Sequence, residues 1–318
     1  MAPKGPFTSE EIQTFVSRPL FAPDVVCSKD SAYPRISVVV PSYNQAKFLE
    51  RTFLSILNQN YPNTEIIVMD GKSSDGSTEI IRKYEPFLTH WVSEPDRGQP
   101  HSINKGFDRA TGELVGWQNS DDLYLPGFFY EVADSFRAAP STQLIYGNIH
   151  TIDEHDCITE FWKPQFIPFS LNHLIYLNWN LSSQATFVNR KLIVRAGPLR
   201  EDIQVGFDWD WFIRIGKMLR HAVLHKAYGG AYRIHSSSKF STHMQSTRWP
   251  IEVQILRSHN IRVRETRPYK RQLWWQPWCL LARQEIYTFL LYKSLSKRLR
   301  PLVMQHLARR GLVCWGFD

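Results

Sequence analysis

Two adjacent carboxylates, Asp121-Asp122, follow a short apolar run that ends at Trp117. Side by side, like charges repel unless a cation neutralises them. Oxygen-only ligation of this kind suits Mg²⁺ or Mn²⁺, which are often held by one or two carboxylates together with substrate phosphates. Taken alone, the pair is more simply a solvated turn, where such Asp pairs are common. A second acidic loop, Asp70-Gly71-Lys72-Ser73-Ser74-Asp75-Gly76, sets carboxylates beside glycines. There the backbone can approach a ligand closely while the acids accept from a base or a ribose. Alternatively, this is an ordinary strand-to-helix loop with Asp75 near a helix N-cap.

Asp208 precedes Trp211, Phe212, Ile215 and Leu219 at helical spacing, which puts it at the start of that helix's buried face. It reads either as an N-cap or as a general base that takes the proton of an acceptor hydroxyl. Asp210 points elsewhere and has Arg214 four residues on, the pattern of a surface ion pair. His235, in Tyr232-Arg233-Ile234-His235-Ser236, offers an imidazole to a metal or a diphosphate, or is a satisfied structural histidine. His101, near a helix start, carries the same two readings.

Elements must bring these groups together. The run Ile36 to Val40 is β-branched, and Gln45 to Asn58 carries apolar residues at amphipathic-helix spacing. The alternation continues with a strand at 65–69, a helix at 77–84, an extended 88–92, a helix at about 100–109 and a strand at 114–117. It predicts a parallel, doubly wound sheet with right-handed crossovers. Ligands of such sheets bind beyond the carboxyl ends of the strands. Pro41-Ser42-Tyr43-Asn44, the 70–76 loop and Asn119-Ser120-Asp121-Asp122 each follow a strand, as that rule requires. Residues 1–34 read as a lead-in arm. A stretch from Trp162 to Trp179 is irregular and is assigned to acceptor recognition, and a patterned unit follows from Gln184 to His235. From 241 to 318 helical segments dominate as a C-terminal extension.

The chain has 318 residues, of which 43% are hydrophobic, enough for one large core. No apolar run reaches membrane-spanning length and no signal-peptide pattern opens the chain, so a cytoplasmic protein is expected. The four cysteines, Cys27, Cys157, Cys279 and Cys314, lie far apart and read as reduced thiols. The net charge of +8 favours acidic partners. Much of it sits late, where Arg271, Arg283, Lys293 and Arg298 interleave with Trp274, Trp275 and Trp278. That mixture suits peripheral docking on the inner face of a membrane better than nucleic-acid reading, although packing of the same tryptophans is the competing reading. Neither a GxGxxG fingerprint nor a GxxxxGK[ST] loop is present.

In this order, PSYNQAKFLERTFLSILNQNYPNTEIIVMDGKSSDGS, EPDRGQPHSINKGFDRATGELVGWQNSDDLYLPG, FDWDWFIRIG and YRIHSSSK resemble the family 2 inverting glycosyltransferases of the GT-A fold. The resemblance covers about 35–240, divided near 125 into a nucleotide-sugar-binding part and an acceptor and catalytic part. It implies a nucleotide-sugar site drawn from Pro41, Tyr43, Asn44, Asp70, Ser73, Asp75, Gln99, Asn104, Lys105, Asn119 and Asp121. It places Asp122, with Asp121 and His235, on Mn²⁺ or Mg²⁺, and Asp208 as the catalytic base. It also implies a glycan or lipid-linked acceptor. There are departures: Gly71 stands where many relatives carry a second acid, Ser120 opens the DxD-like position, and Phe207 replaces the acid that often precedes the base. No QxxRW motif of processive synthases is found, which favours transfer of single sugars. The rival readings are a sugar-phosphate nucleotidylyltransferase, which would need a glycine-rich basic loop where PSYNQ stands, and a catalytically silent carbohydrate-binding module.

Overall fold

The computed structural model describes residues 7–18, 32–159, 169–176, 181–238 and 248–261. Of the C-terminal extension expected at 241–318, residues 241–247 and 262–318, with the tryptophans expected to meet a membrane, lie outside the described residues, as does most of the irregular stretch from Trp162 to Trp179. Among the described residues, no helix is long and apolar enough to cross a membrane.

Four strands, β1 (Ile36–Ser42), β2 (Thr64–Asp70), β3 (His90–Ser93) and β4 (Leu114–Trp117), form a parallel block in the order β3-β2-β1-β4. The β-branched runs are buried because both faces are covered. Alternate residues of β1 go to opposite cores: Val39 joins Trp117, Trp211 and Phe212, whereas Val38 and Val40 join Leu49, Phe53 and Ile81. Helices α2 (Ala46–Leu57) and α3 (Ser77–Tyr84) supply the second set, and α4 (Gln99–Arg109) covers the first. Contact there is close, since a methyl group on Gly106 would lie 2.2 Å from Val39 Cγ1.

The sheet then changes character. After β5 (Leu123–Tyr124) and helix α5 (Phe128–Ala138) come β6 (Leu144–Ile152), β7 (Ile158–Thr159), α6 (Leu171–Tyr176), β8 (Thr186–Asn189) and α7 (Arg190–Ala196). Next are α8 (Phe207–Met218), β9 (Ala222–Arg233) and α9 (Arg248–Ser258). Strand β8 joins β4 antiparallel, β6 joins β8 antiparallel, β9 joins β6 parallel and β5 closes the edge antiparallel to β9. The parallel block thus continues into a mixed half.

Two sequence-based expectations change. Within the lead-in arm, Ser9–Ser17 forms a helix, α1, closed by a reciprocal Thr8–Glu11 capping box, and buries Ile12, Phe15 and Val16. Asp208 does not begin the buried face of α8: it is half-buried, and Asp210 is the buried carboxylate. Arg214 Nε donates to Asp210 at 3.1 Å, His259 Nε2 pairs with it at 3.0 Å and Arg200 stands 3.9 Å away. Burial alone would raise the Asp210 pKa, but the His259 hydrogen bond and the Arg214 charge outweigh it and hold the carboxyl below its usual range. The expected surface ion pair is an internal anchor for α8.

Candidate active site at the strand ends

Strands β1, β2 and β3 end abreast, with Ser42 beside Asp70 and Asp70 beside Ser93. Asp70 is buried and accepts from the Ser73 N–H at 2.9 Å, the Ser73 hydroxyl at 2.5 Å and the Ser93 hydroxyl at 2.6 Å. Asn44, at a positive φ of 51°, donates its N–H to Ser73 Oγ and accepts from the Ser74 N–H. Asp75 accepts from Ser77 and from the Ala46 N–H, tying the starts of α2 and α3 together. Those donors outweigh burial and hold the Asp75 carboxyl below its usual range. Asp70, Ser73, Asn44 and Asp75 therefore knit the two loops into one rim. Pro41 is buried inside β1, while the Tyr43 ring is 63% exposed on that rim.

A second cluster surrounds the acidic pair. Gln99 Nε2 donates to Asn119 Oδ1 at 2.7 Å, and Asn119 Nδ2 donates to Asp122 Oδ2 at 2.8 Å. Gln184 Nε2 donates to the same Asp122 oxygen at 2.5 Å, and the Arg233 N–H donates to Asp122 Oδ1 at 2.8 Å. Burial and the neighbouring Asp121 charge push the Asp122 pKa upward, against these donors. Beneath the pair lies the fully buried Arg233, whose guanidinium donates to the Asp121 and Asp153 carbonyls and meets Asp156 at 2.6 Å.

Asp121 faces the other way. Its Oδ2 lies 3.0 Å from His235 Nε2, and the His235 ring rests 4.7 Å from the Phe48 ring with Nδ1 2.9 Å from Ser237 Oγ. Asp208 accepts the Trp209 N–H at 2.9 Å at the start of α8, after Gly206. It belongs to the same neighbourhood. Burial first, then the charges of Asp122, Asp121 and Asp208, raise the pKa of the Tyr232 phenol, so all three carboxylates lie within electrostatic reach of that hydroxyl.

Two of the expected donor-binding residues are turned elsewhere. Asn104 is buried and its amide exchanges hydrogen bonds with the Leu199 backbone at 2.9 and 2.8 Å. Lys105 pairs with Glu94. Asp122, expected as the principal metal ligand, has both oxygens occupied by N–H donors. Among the described residues, no three His, Cys, Asp or Glu side chains could hold a metal ion together. The donor set that fits a cation is Asp121 with His235, one oxygen and one nitrogen, leaving the remaining positions to ligand phosphates.

Residues 37–194 match the sequence profile of Glycosyl transferase family 2. An uncharacterised protein of Mycobacterium tuberculosis is 30% identical over 249 residues, spanning 70% of this chain and 74% of that protein. The chain belongs to glycosyl transferase family 2. A further relative is a PGL/p-HBAD biosynthesis glycosyltransferase of Mycobacterium bovis, 29% identical over 58% of this chain and 70% of its own length.

Its fold is GT-A, an architecture shared with the crystal structure of Staphylococcus aureus TarS 1-349 in complex with UDP-GlcNAc. That similarity has a TM-score of 0.59 at 17% identity and covers 87% of each chain. The Pyrobaculum calidifontis mannosyltransferase PcManGT, in complex with GDP-Man and Mn2+, gives 0.55 at 19% identity over 94% of this chain and 86% of its own.

Sequence reasoning missed Gln184, Arg233 and Tyr232. For this family 2 member Arg233 and Tyr232 had a usable signal, since both sit in the YRIHS segment already singled out for His235. Gln184 had none, because only the antiparallel entry of β8 beside β4 brings it under Asp122.

Proposed function

We propose that this glycosyltransferase-family chain moves a single sugar from a nucleotide-sugar donor to an acceptor hydroxyl with inversion at the anomeric carbon. The observation that supports this reading best is Asp121 facing His235 at 3.0 Å at the strand ends, with the charges of Asp121, Asp122 and Asp208 all felt by the buried Tyr232 phenol. Asp208 takes the proton of the acceptor hydroxyl. The acceptor oxygen attacks the anomeric carbon on the face opposite the diphosphate, the new C–O bond forms as the bond to the diphosphate oxygen breaks, and the bonding pair leaves with the nucleoside diphosphate. One displacement inverts the centre.

Asp121 and His235 would hold Mn²⁺ or Mg²⁺, which supplies Lewis-acid neutralisation of the departing diphosphate. Asp122, held by Asn119, Gln184 and Arg233, fixes the turn that carries Asp121. The exposed Tyr43 ring and the rim around Asp70 receive the nucleoside. The named role of the M. bovis relative favours a cell-surface glycan or glycolipid acceptor.

A donor panel tests the reading. The full chain is incubated with UDP-GlcNAc, GDP-mannose and dTDP-glucose, with Mn²⁺ or with EDTA, and released nucleoside diphosphate is measured. Release from one donor class, abolished by EDTA, is expected. Absence of both release and nucleotide binding across the panel would contradict it.

A further inference from the structure

Among the described residues, a carboxylate oxygen beside the exposed Tyr43 ring is left to spare on an acid that the sequence did not point to. Asp70 is saturated by Ser73 and Ser93, Asp75 by Ser77 and Ala46, and Glu94 is paired with Lys105. Asp96, in the loop between β3 and α4, uses only Oδ1, which accepts the Gly98 N–H at 2.7 Å. Its Oδ2 reaches back over Gly71: a methyl on Gly71 would lie 2.7 Å from Asp96 Oδ2 and 3.2 Å from Tyr43 Cδ2. Real side-chain atoms do not approach that closely, so glycine at 71 makes the room that the Asp96 carboxylate occupies. The second acid missing after Asp70 is thus replaced in space by one from the next strand's loop.

The geometry points to Asp96 as the residue that selects the nucleobase, an assignment that rests on the nucleotide-sugar reading above. A base lying against the exposed Tyr43 ring would turn its polar edge to Asp96 Oδ2. A single charged acceptor matches the imide N3–H of uracil or thymine. Cytosine N3 and adenine N1 are themselves acceptors and are repelled there. Guanine offers two parallel donors, N1–H and N2–H₂, which call for a two-oxygen acceptor, and here one oxygen is already taken by Gly98. The class of donor is therefore a uridine or thymidine diphosphate sugar.

Titration calorimetry of the full chain with Mn²⁺ and UDP, dTDP, CDP or GDP tests this, on the wild type, Asp96→Asn and Gly71→Ala. Wild type is expected to bind UDP or dTDP more tightly than CDP and GDP, and those two arms separate uracil from thymine. In Asp96→Asn the Gly98 N–H keeps the amide oxygen, so the NH₂ faces the base. UDP or dTDP affinity then falls about ten- to a hundredfold, as for loss of a hydrogen bond to a charged group, and CDP binds at least as well as UDP. Gly71→Ala displaces the carboxylate and gives the same loss without the gain for CDP. Should Asp96→Asn not fold, as read by its melting curve, Gly71→Ala decides. Nucleotide binding with a preference for GDP or CDP in the wild type, or an unchanged UDP-to-CDP ratio in the variants, would overturn the assignment and leave the transferase reading standing. A wild type that binds none of the four would overturn both.

Discussion

Asp121 and Asp122 are chemically identical neighbours with opposite surroundings. Asp122 is surrounded by N–H donors, whereas Asp121 turns its carboxylate to an imidazole at the site. The arrangement depends on Arg233, whose charge is buried against Asp156 and whose guanidinium also holds the Asp121 carbonyl. Arg233→Met keeps the volume but leaves the Asp156 carboxylate buried beside one cation fewer. Loss of about 3–5 kcal/mol in urea unfolding is expected; a variant as stable as wild type would show the network to be dispensable. The sequence makes the acidic pair visible, but not which member faces the ligand. That is decided by the Asp122 N–H bond back to the Asn119 carbonyl and by donors that arrive from β9 and from just before β8. Asp96 is hidden for the same reason, because its partner position, Gly71, lies on another strand's loop.

At the scale of elements, the parallel half is legible because its strands are unbroken β-branched or apolar runs and its helices keep a 3.6-residue period. The capping box at Thr8–Glu11, with Ile12, Phe15 and Val16 spaced for one helix face, was also present in the sequence, but the flanking prolines obscured it. Phe15 is buried in the cluster that includes Leu123 and Leu125. Phe15→Ala should cost about 3–5 kcal/mol of stability in denaturant unfolding, and an unchanged midpoint would mean that α1 is a loose arm after all. Helix α8 was legible in place but not in orientation, since apolar residues nearly encircle it and spacing alone cannot say which acid goes in. Its anchor gives a pH test. The folded Asp210 pKa lies below its unfolded value, so the unfolded chain binds more protons as pH drops, and the stabilisation is full at neutral pH and lost on acidification. Wild type should exceed Asp210→Asn by about 3 kcal/mol at neutral pH. The gap should narrow as the pH falls below about 4. A gap independent of pH would rule out the charge pairing as its source.

Over the whole molecule, two cores on opposite faces of one sheet hold the strand ends rigid, and the site is assembled from loops far apart in sequence. The rim at 41–44 and 70–76 follows the parallel strands, the acidic pair follows β4, and Asp208 and His235 come from the mixed half. No local pattern links Asp208 with Asp121: the pairing of β5 with β9, Leu123 opposite Ala231, sets the acidic pair near Tyr232, whose phenol also feels the Asp208 charge. The resemblance carried by the ordered motifs supplied what spacing could not. The most direct measurement compares turnover and donor affinity in Asp208→Asn: Gly206, not Asp208, is the N-cap of α8, and the asparagine keeps an oxygen for the Trp209 N–H while removing the base. A turnover loss of about a hundredfold or more with donor Kd nearly unchanged is expected, together with an inverted anomeric configuration in the residual product by NMR. Near wild-type turnover, or a product with retained configuration, would contradict this mechanism.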